Sequence, residues 1–569
     1  MKILTLWLKC LIILIIYKNA SAQSGSIFQP IDIGMSTYNK TERYKQFEGR
    51  EIRKINIVTL DPIGSTVEDT TINYIPWYGK TLNKLHTTTR KSVIENLLLI
   101  KEGEIFDALA TRETERLIRD AAFVKDTRII ISEIDDHMVD ITIIVSDLFS
   151  TNISIISFEE PITIRLHETN FLGLAHDIDN TFSYDFKKKT DFSINGSYTI
   201  PYIHNTYASI TALYEKSPTR QTKGLIINRS FFSPLTDWAG GIGLIENHLF
   251  PEQAVANGIN PFETRFIEQD YWIGRNFNIN KQERNSRFGI AARINQVYYS
   301  LKPPLQSDTL QIHQNSVFFL GTLAYNLRQY YIDRNIYRFG ITEDIPRGML
   351  IALTGGYQQK ELLSRPYIRA RLAYGDHFSG FGNFSTSIDV GTFIYKGKKE
   401  QGSLNYSLSY FSDMFKVGSW GFRQFINSLT IVGINRLPNE SVTLSDNFEL
   451  YGFPGVVSGT KKTSLNFQSV LYAPFSVIGF RFAPVILIGF GMIGNNNNPL
   501  LQGTVYQSYG AGILIRNESI AFRTFQLSIA IYPHLPGFDS PDYSINPVGT
   551  FDLRYTDFFI DRPGEVPYR

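Results

Sequence analysis

Residues 524–532 read Thr524-Phe525-Gln526-Leu527-Ser528-Ile529-Ala530-Ile531-Tyr532. Phe525, Leu527, Ile529 and Ile531 are large and apolar, whereas Thr524, Gln526 and Ser528 between them are polar. A period of two belongs to a strand, whose successive side chains point to opposite faces. The same split returns far upstream. Phe288, Ile290, Ala292 and Ile294 alternate with Gly289, Ala291, Arg293 and Asn295, and Ile368, Ala370, Leu372 and Tyr374 alternate with Tyr367, Arg369, Arg371 and Ala373. From residue 151 onward, strand after strand carries large polar residues on the face opposite the apolar one, with aromatics near the ends. A membrane barrel requires that pattern, apolar outside and polar inside, because lipid cannot satisfy free backbone groups. Roughly 410 residues, at about 25 for each strand with its connection, predict about 16 strands. Phe525, Leu527, Ile529 and Ile531 are expected to face lipid, and Thr524, Gln526 and Ser528 the lumen.

Composition narrows the function classes. The 569 residues carry 56 Lys+Arg against 54 Asp+Glu, a near balance that argues against nucleic acid as a partner. Hydrophobic residues make up 43% and aromatics 14%, yet mean hydropathy lies slightly below zero, so a helical membrane protein is excluded. Lys2, the apolar stretch Leu4 to Ile16 and the small residues Ala20-Ser21-Ala22 form an export signal over residues 1–22. The mature chain is expected to begin at Gln23. Cys10, the only cysteine, lies inside that signal, which closes thiol catalysis and disulfides in the mature chain.

Residues 23–49 are polar and mixed, and are expected to form a linker. Residues 50–147 read as a separate small α+β unit. Ile52, Ile55, Ile57 and Val58 start a strand; Val93, Leu97, Leu98 and Ile100 recur at helical spacing up to Gly103. A second helix follows Asp107 as cap, with Leu117, Ile118 and Ala121 on its apolar side. Glu113 and Glu115 precede Arg116 and Arg119, as the helix dipole prefers. Two alternating strands, Val124 to Ile134 and Val139 to Val145, end the unit. This order can bury one sheet face under two helices, with Leu117 and Ile118 against Ile55 and Ile57.

The unit over 50–147 resembles a single POTRA domain, in Leu97 to Gly103 and in Leu117-Ile118-Arg119-Asp120. Residues 151–569 resemble the barrel of the BamA/TamA family of outer-membrane proteins, also called bacterial surface antigens. Glu168, Asn170, Phe171, Leu172 and Gly173 are similar to the family's opening barrel hairpin. Leu450, Tyr451, Gly452 and Phe453 stand where the family has an Arg-Gly-aromatic motif on a loop folded into the lumen. Ser508 to Pro533 resembles its penultimate strands. The resemblance implies a barrel in the outer membrane with the POTRA-like unit in the periplasm. It further implies assembly, insertion or translocation of unfolded barrel or lipoprotein clients, in a specialised or accessory role, alongside periplasmic chaperones or accessory subunits.

Two departures stand out. Tyr451 replaces the family's loop Arg, and Leu487-Ile488-Gly489-Phe490-Gly491 replaces the strand that usually carries its acidic partner. Losing both charges is physically easier than losing either, since neither is left buried alone. An aromatic ring resting where Gly489 and Gly491 remove bulk would substitute packing for charge, with both glycines sharing the parity of Leu487. The loss keeps a second reading open, a passive pore or surface receptor that retains the architecture without insertase activity. No enzyme is expected, and no cofactor. Gly489 to Gly494 matches a dinucleotide glycine spacing, but no helix follows to cradle a phosphate. His167-Glu168 lacks the second His of a zinc helix, and no Gly-x-Ser-x-Gly elbow occurs.

Overall fold

In the computed structural model the described residues are 28–30 and 41–568, except 71–74, 76, 158–160, 188–190, 252–261, 280–283, 305, 307, 309, 337–340, 446–449, 451, 454, 456, 478–479, 496–498, 518–524, 537–540 and 546–557. The export signal expected over 1–22 lies outside them, as do Tyr451 and Thr524.

The α+β unit begins upstream of the expected boundary at Arg50. Tyr44 of helix α1 (Thr41–Lys45) and Phe47 in the turn after it lie in the core, so part of the expected linker belongs to the unit. Strand β1 (Glu51–Leu60) is followed by α2 (Trp77–Leu85), α3 (Lys91–Glu95) and α4 (Ala108–Asp120), then β2 (Val124–Glu133) and β3 (Met138–Asp147). The sheet order is β1-β3-β2, with β1 parallel to β3 and β3 antiparallel to β2. Helix α3 is shorter than the sequence pattern suggests. It stops after Glu95, while Leu97 and Ile100 are buried from the turns beyond it, and Gly103 closes the segment at φ +80°. That left-handed conformation costs glycine little, because it has no Cβ. Asp107 caps α4 by accepting from the amides of Leu109 at 2.9 Å and Ala110 at 3.0 Å. Leu117 and Ile118 join Ile52 and Ile57 in the core, with Ile55 packed at its edge.

Among the described residues the main sheet contains 23 strands. Three are three-residue pieces, Phe28–Pro30, Phe415–Val417 and Phe475–Val477, which leaves twenty strands in the barrel wall, from Thr151–Ser157 to Asp542–Ile545. Each pairs antiparallel with its neighbour in sequence along the series. The count exceeds about 16 because connections are short. Lys396-Gly397, both at positive φ, form a two-residue turn between Gly382–Tyr395 and Lys398–Phe411, the geometry that matches strand twist. An even number puts both ends of the wall at one rim.

Side-chain parity shows which face meets lipid. Leu527 and Ile531 are 44% and 50% exposed, whereas Gln526 and Ser528 are 8% and 7%. Phe288, Ile290 and Ile294 likewise point outward with Ile368, Leu372 and Tyr374, while Ala291 and Tyr367 are buried inside. No helix among the described residues is long and apolar enough to cross a membrane; the apolar outer face belongs to the strands. A one-residue slip anywhere would exchange the two faces, so this parity fixes the register.

Ile118 is fully buried in the α+β core. Ile118→Ala should therefore destabilise the unit by about 2–5 kcal/mol. Hydrogen exchange on the detergent-solubilised chain should show faster exchange across β1 to β3 with the wall unchanged. Unchanged protection of that sheet would show that α4 does not complete its core.

Candidate functional site at the mouth and in the lumen

The α+β unit sits against one rim of the barrel, and α4 supplies most of the polar contact. Its charged residues are not a solvated face: Glu113, Glu115, Arg116 and Arg119 are each 5% exposed or less. Arg116 pairs with Glu113 at 3.0 Å and donates to the Phe232 carbonyl at 2.7 Å. Its guanidinium also lies 4.4 Å from the Tyr330 ring centroid, a cation–π placement that is strongest when desolvated. Ser233 Oγ donates to Glu113 at 3.1 Å. Arg119 meets three carboxylates, Glu115 at 2.9 Å, Asp126 at 3.2 Å and Asp344. Arg112 donates to the Tyr330 carbonyl, and Arg284 pairs with Asp107. Residues 232, 284, 330 and 344 lie on different parts of the wall, so one helix ties several hairpins together.

Aromatic packing continues the joint. Tyr207 and Phe232 stack with centroids 3.8 Å apart and planes 11° from parallel, and the Tyr207 hydroxyl donates to the Leu97 carbonyl. On the opposite side of α4, Tyr44 donates to Glu115 at 2.8 Å. Burial, then the neighbouring Glu115 carboxylate, pushes the Tyr44 hydroxyl well above the ordinary phenol range. It therefore stays a donor, and Glu115 keeps hydrogen bonds on both oxygens.

The opening hairpin residues lie at the same rim. Asn170 is buried; its amide donates to Thr89 Oγ1 at 2.9 Å and to the Thr87 carbonyl at 3.3 Å, and its Oδ1 accepts from the Ala175 amide at 2.8 Å. Glu168 accepts from the Asn170 amide at 2.7 Å and from Thr151 Oγ1. Gly173, at φ +71°, packs so closely that a Cβ would lie 2.5 Å from the Thr88 carbonyl oxygen, and its own carbonyl accepts from Arg90 at 3.0 Å. Phe171 and Leu172 point outward. Asn170 and Gly173 thus form a joint with the segment between α2 and α3, and Glu168 braces Asn170 behind it.

The loop after Trp420–Ile434 turns inward from the opposite rim. Leu444, Leu450 and Phe453 are buried with Ile493, Ala530, Tyr532 and Leu535, and Tyr532 donates to the Gly452 carbonyl at 2.8 Å. Leu487, Gly489 and Gly491 share the inner face of strand Phe480–Gly494. A Cβ on Gly489 would lie 3.0 Å from Leu450 Cδ1, and one on Gly491 would lie 3.1 Å from Leu444 Cδ1. Leu450 and Leu444 thus lie against the two glycines; Tyr451, whose ring the sequence suggested there, lies outside the described residues. Leu487 belongs instead to an inner apolar cluster with Tyr331, Phe411, Phe425 and Tyr472. No group of acidic, His or Cys side chains among the described residues could hold a metal ion.

No family model matches the chain, and no curated protein matches it. Among solved structures it is similar to BamA from Haemophilus ducreyi lacking POTRA domains 1–3, at 10% identity over 87% of this chain and 83% of that one, with a TM-score of 0.37. It is also similar to CdiB from Acinetobacter baumannii (9% identity, 87% and 72% covered, TM-score 0.33) and to CdiB from Escherichia coli (11%, 88% and 75%, TM-score 0.42).

Two substitutions probe the site. Arg119→Ala leaves Glu115 buried, and Asp126 and Asp344 half-buried, with their shared cation removed, which should cost about 3–5 kcal/mol. Faster amide exchange in α4 reports the loss, and a double-mutant cycle with Asp344→Asn should give a coupling above about 0.5 kcal/mol; strictly additive effects would mean the two groups do not hold the mouth. Separately, Gly489→Leu should expel Leu450 and expose residues 442–453 to protease added at the opposite rim. Unaltered protection would show that the loop does not depend on the glycine cleft.

Proposed function

We propose that the chain works in the outer membrane in the assembly, insertion or translocation of polypeptide clients, with its POTRA-like unit in the periplasm. The observation that carries this reading is the docking of the α+β unit against one rim of the barrel. It is held there through buried charge pairs, and a loop from the other rim packs inward. A passive pore needs no docked α+β unit, and this favours the assembly reading over the pore. The unit also presents a sheet edge suited to an extended client. The β1 edge is partly covered, since Ile52 and Arg50 bond with residues 103–106. The β2 edge pairs with no strand beyond it among the described residues, although Arg119 and Tyr44 reach its carbonyls at Thr127 and Ile129. Clients would be unfolded barrel proteins or lipoproteins, delivered by periplasmic chaperones or accessory subunits. A specialised or accessory member of the BamA/TamA type fits a single such unit. Residues 450–453 and the Gly489 cleft would then form a latch, and the joint at Glu168, Asn170 and Gly173 would transmit movement to the first hairpins.

Depletion followed by quantitative outer-membrane proteomics tests the proposal. Coordinated loss of several barrel proteins or surface lipoproteins is expected. An intact proteome with loss of uptake of one solute would replace this reading with a pore.

A further inference from the structure

Residues 558–568 run along the inner wall as an irregular extended segment. They form no ladder with any strand, yet every second side chain meets the wall. Phe558 packs against Gly375, Ile560 against Gly289, Val566 against Gly391 and Tyr568 against Gly433. A Cβ on Gly375 would lie 2.8 Å from the Phe558 ring, one on Gly391 2.9 Å from Val566, and one on Gly433 2.6 Å from the Tyr568 hydroxyl. Between these contacts Arg562 pairs with Asp270. Four wall glycines on separate strands therefore make a track for alternate side chains, the arrangement an extended chain requires.

The polar contacts read the main chain. Asn326 donates to the Phe558 carbonyl at 2.9 Å, Arg293 to that of Pro563 at 3.0 Å and Arg369 to that of Gly564 at 2.7 Å. Asn405 donates to the Pro567 carbonyl at 2.7 Å, and the Val566 amide donates to the Tyr367 hydroxyl at 2.8 Å. Main-chain bonds give affinity for extended polypeptide, while cavities at alternate positions add selectivity. At about 3.3 Å per residue, ten steps reach at most about 33 Å, close to the thickness of the hydrocarbon layer. The contacts are consistent with that reach: Phe558 packs beside Phe231 at the rim that carries the α+β unit, and Tyr568 bonds to Thr460 at the opposite rim.

The wall is complete without the segment. Arg369 is held by Asp389 through Nε at 2.7 Å, and Arg293 by Asp270 at 2.5 Å, so withdrawal leaves paired charges facing the lumen. Nor does withdrawal break a strand ladder. We propose that the track is a binding site for extended polypeptide with bulky side chains at alternate positions, and that residues 558–568 are its displaceable resident. The proposal stands apart from the assembly role, since peptide binding and the proteome after depletion are independent readouts.

The test uses the detergent-solubilised chain lacking residues 558–569, its folding checked by heat-modifiable gel mobility, and a fluorescent synthetic peptide with the sequence of those residues. Saturable binding to the shortened chain is expected, with little to the full chain, and Gly391→Leu in the shortened chain should weaken it about tenfold, as loss of one good contact would. No binding to the shortened chain, equal binding of the reversed-sequence peptide, or equal binding to the full chain would overturn the proposal. If the shortened chain does not fold, the full chain with a protease site inserted between residues 551 and 552 is cut after folding. Release of the segment and its competition by the peptide are then expected, whereas retention until the wall itself unfolds would mark it as a fixed strut and sink the idea.

Discussion

A strand in hydrocarbon must find partners for its main-chain N–H and C=O groups on neighbouring strands, because lipid offers none. That constraint governs the molecule. It commits the wall to one antiparallel series and fixes parity, so chemical variety is confined to the inner face and the rims. Asp270 and Arg293 on one pair of neighbouring strands, and Arg369 and Asp389 on another, all occupy inner positions. The unusual contacts of this chain are therefore luminal or marginal: the inward loop, the segment over the glycine track and the charged joint of α4.

The wall was legible in the sequence because its rule is local and repeats. Gln526 and Ser528 against Leu527 and Ile531 needed only neighbours along the chain, and the α+β core needed only the spacing of Leu117 and Ile118. The joint was not legible. Glu113, Glu115, Arg116 and Arg119 satisfy the dipole rule for a solvated helix equally well, and their burial depends on Phe232, Tyr330 and Asp344, more than 100 positions away in the chain. Helix spacing cannot distinguish a solvated charge from one buried against a distant surface.

The latch shows a subtler limit. A motif match aligned Tyr451 with a charged position and the two glycines with its partner, and the cleft does take an apolar group. Leu450, itself part of the matched motif, lies against Gly489, and Leu444, which the motif does not include, lies against Gly491. Occupancy of a cleft depends on loop path and side-chain reach, which spacing does not encode. The luminal segment was missed for a similar reason. Gly289, Gly375, Gly391 and Gly433 look unremarkable in separate strands and form a track only when the wall brings them together.

The α4 joint also has a mechanical meaning. Its cations are seated in carboxylates and carbonyls contributed by consecutive hairpins along one stretch of the rim, so the helix behaves like a spanner gripping several bolts at once. Turning the unit about its short connection to Thr151 would load Ser233, Tyr330 and Asp344 in the same instant, since each contact is short and directional. A tug on the unit from the water phase would then reach the rim as a distortion of its outline, with little slack between pull and response.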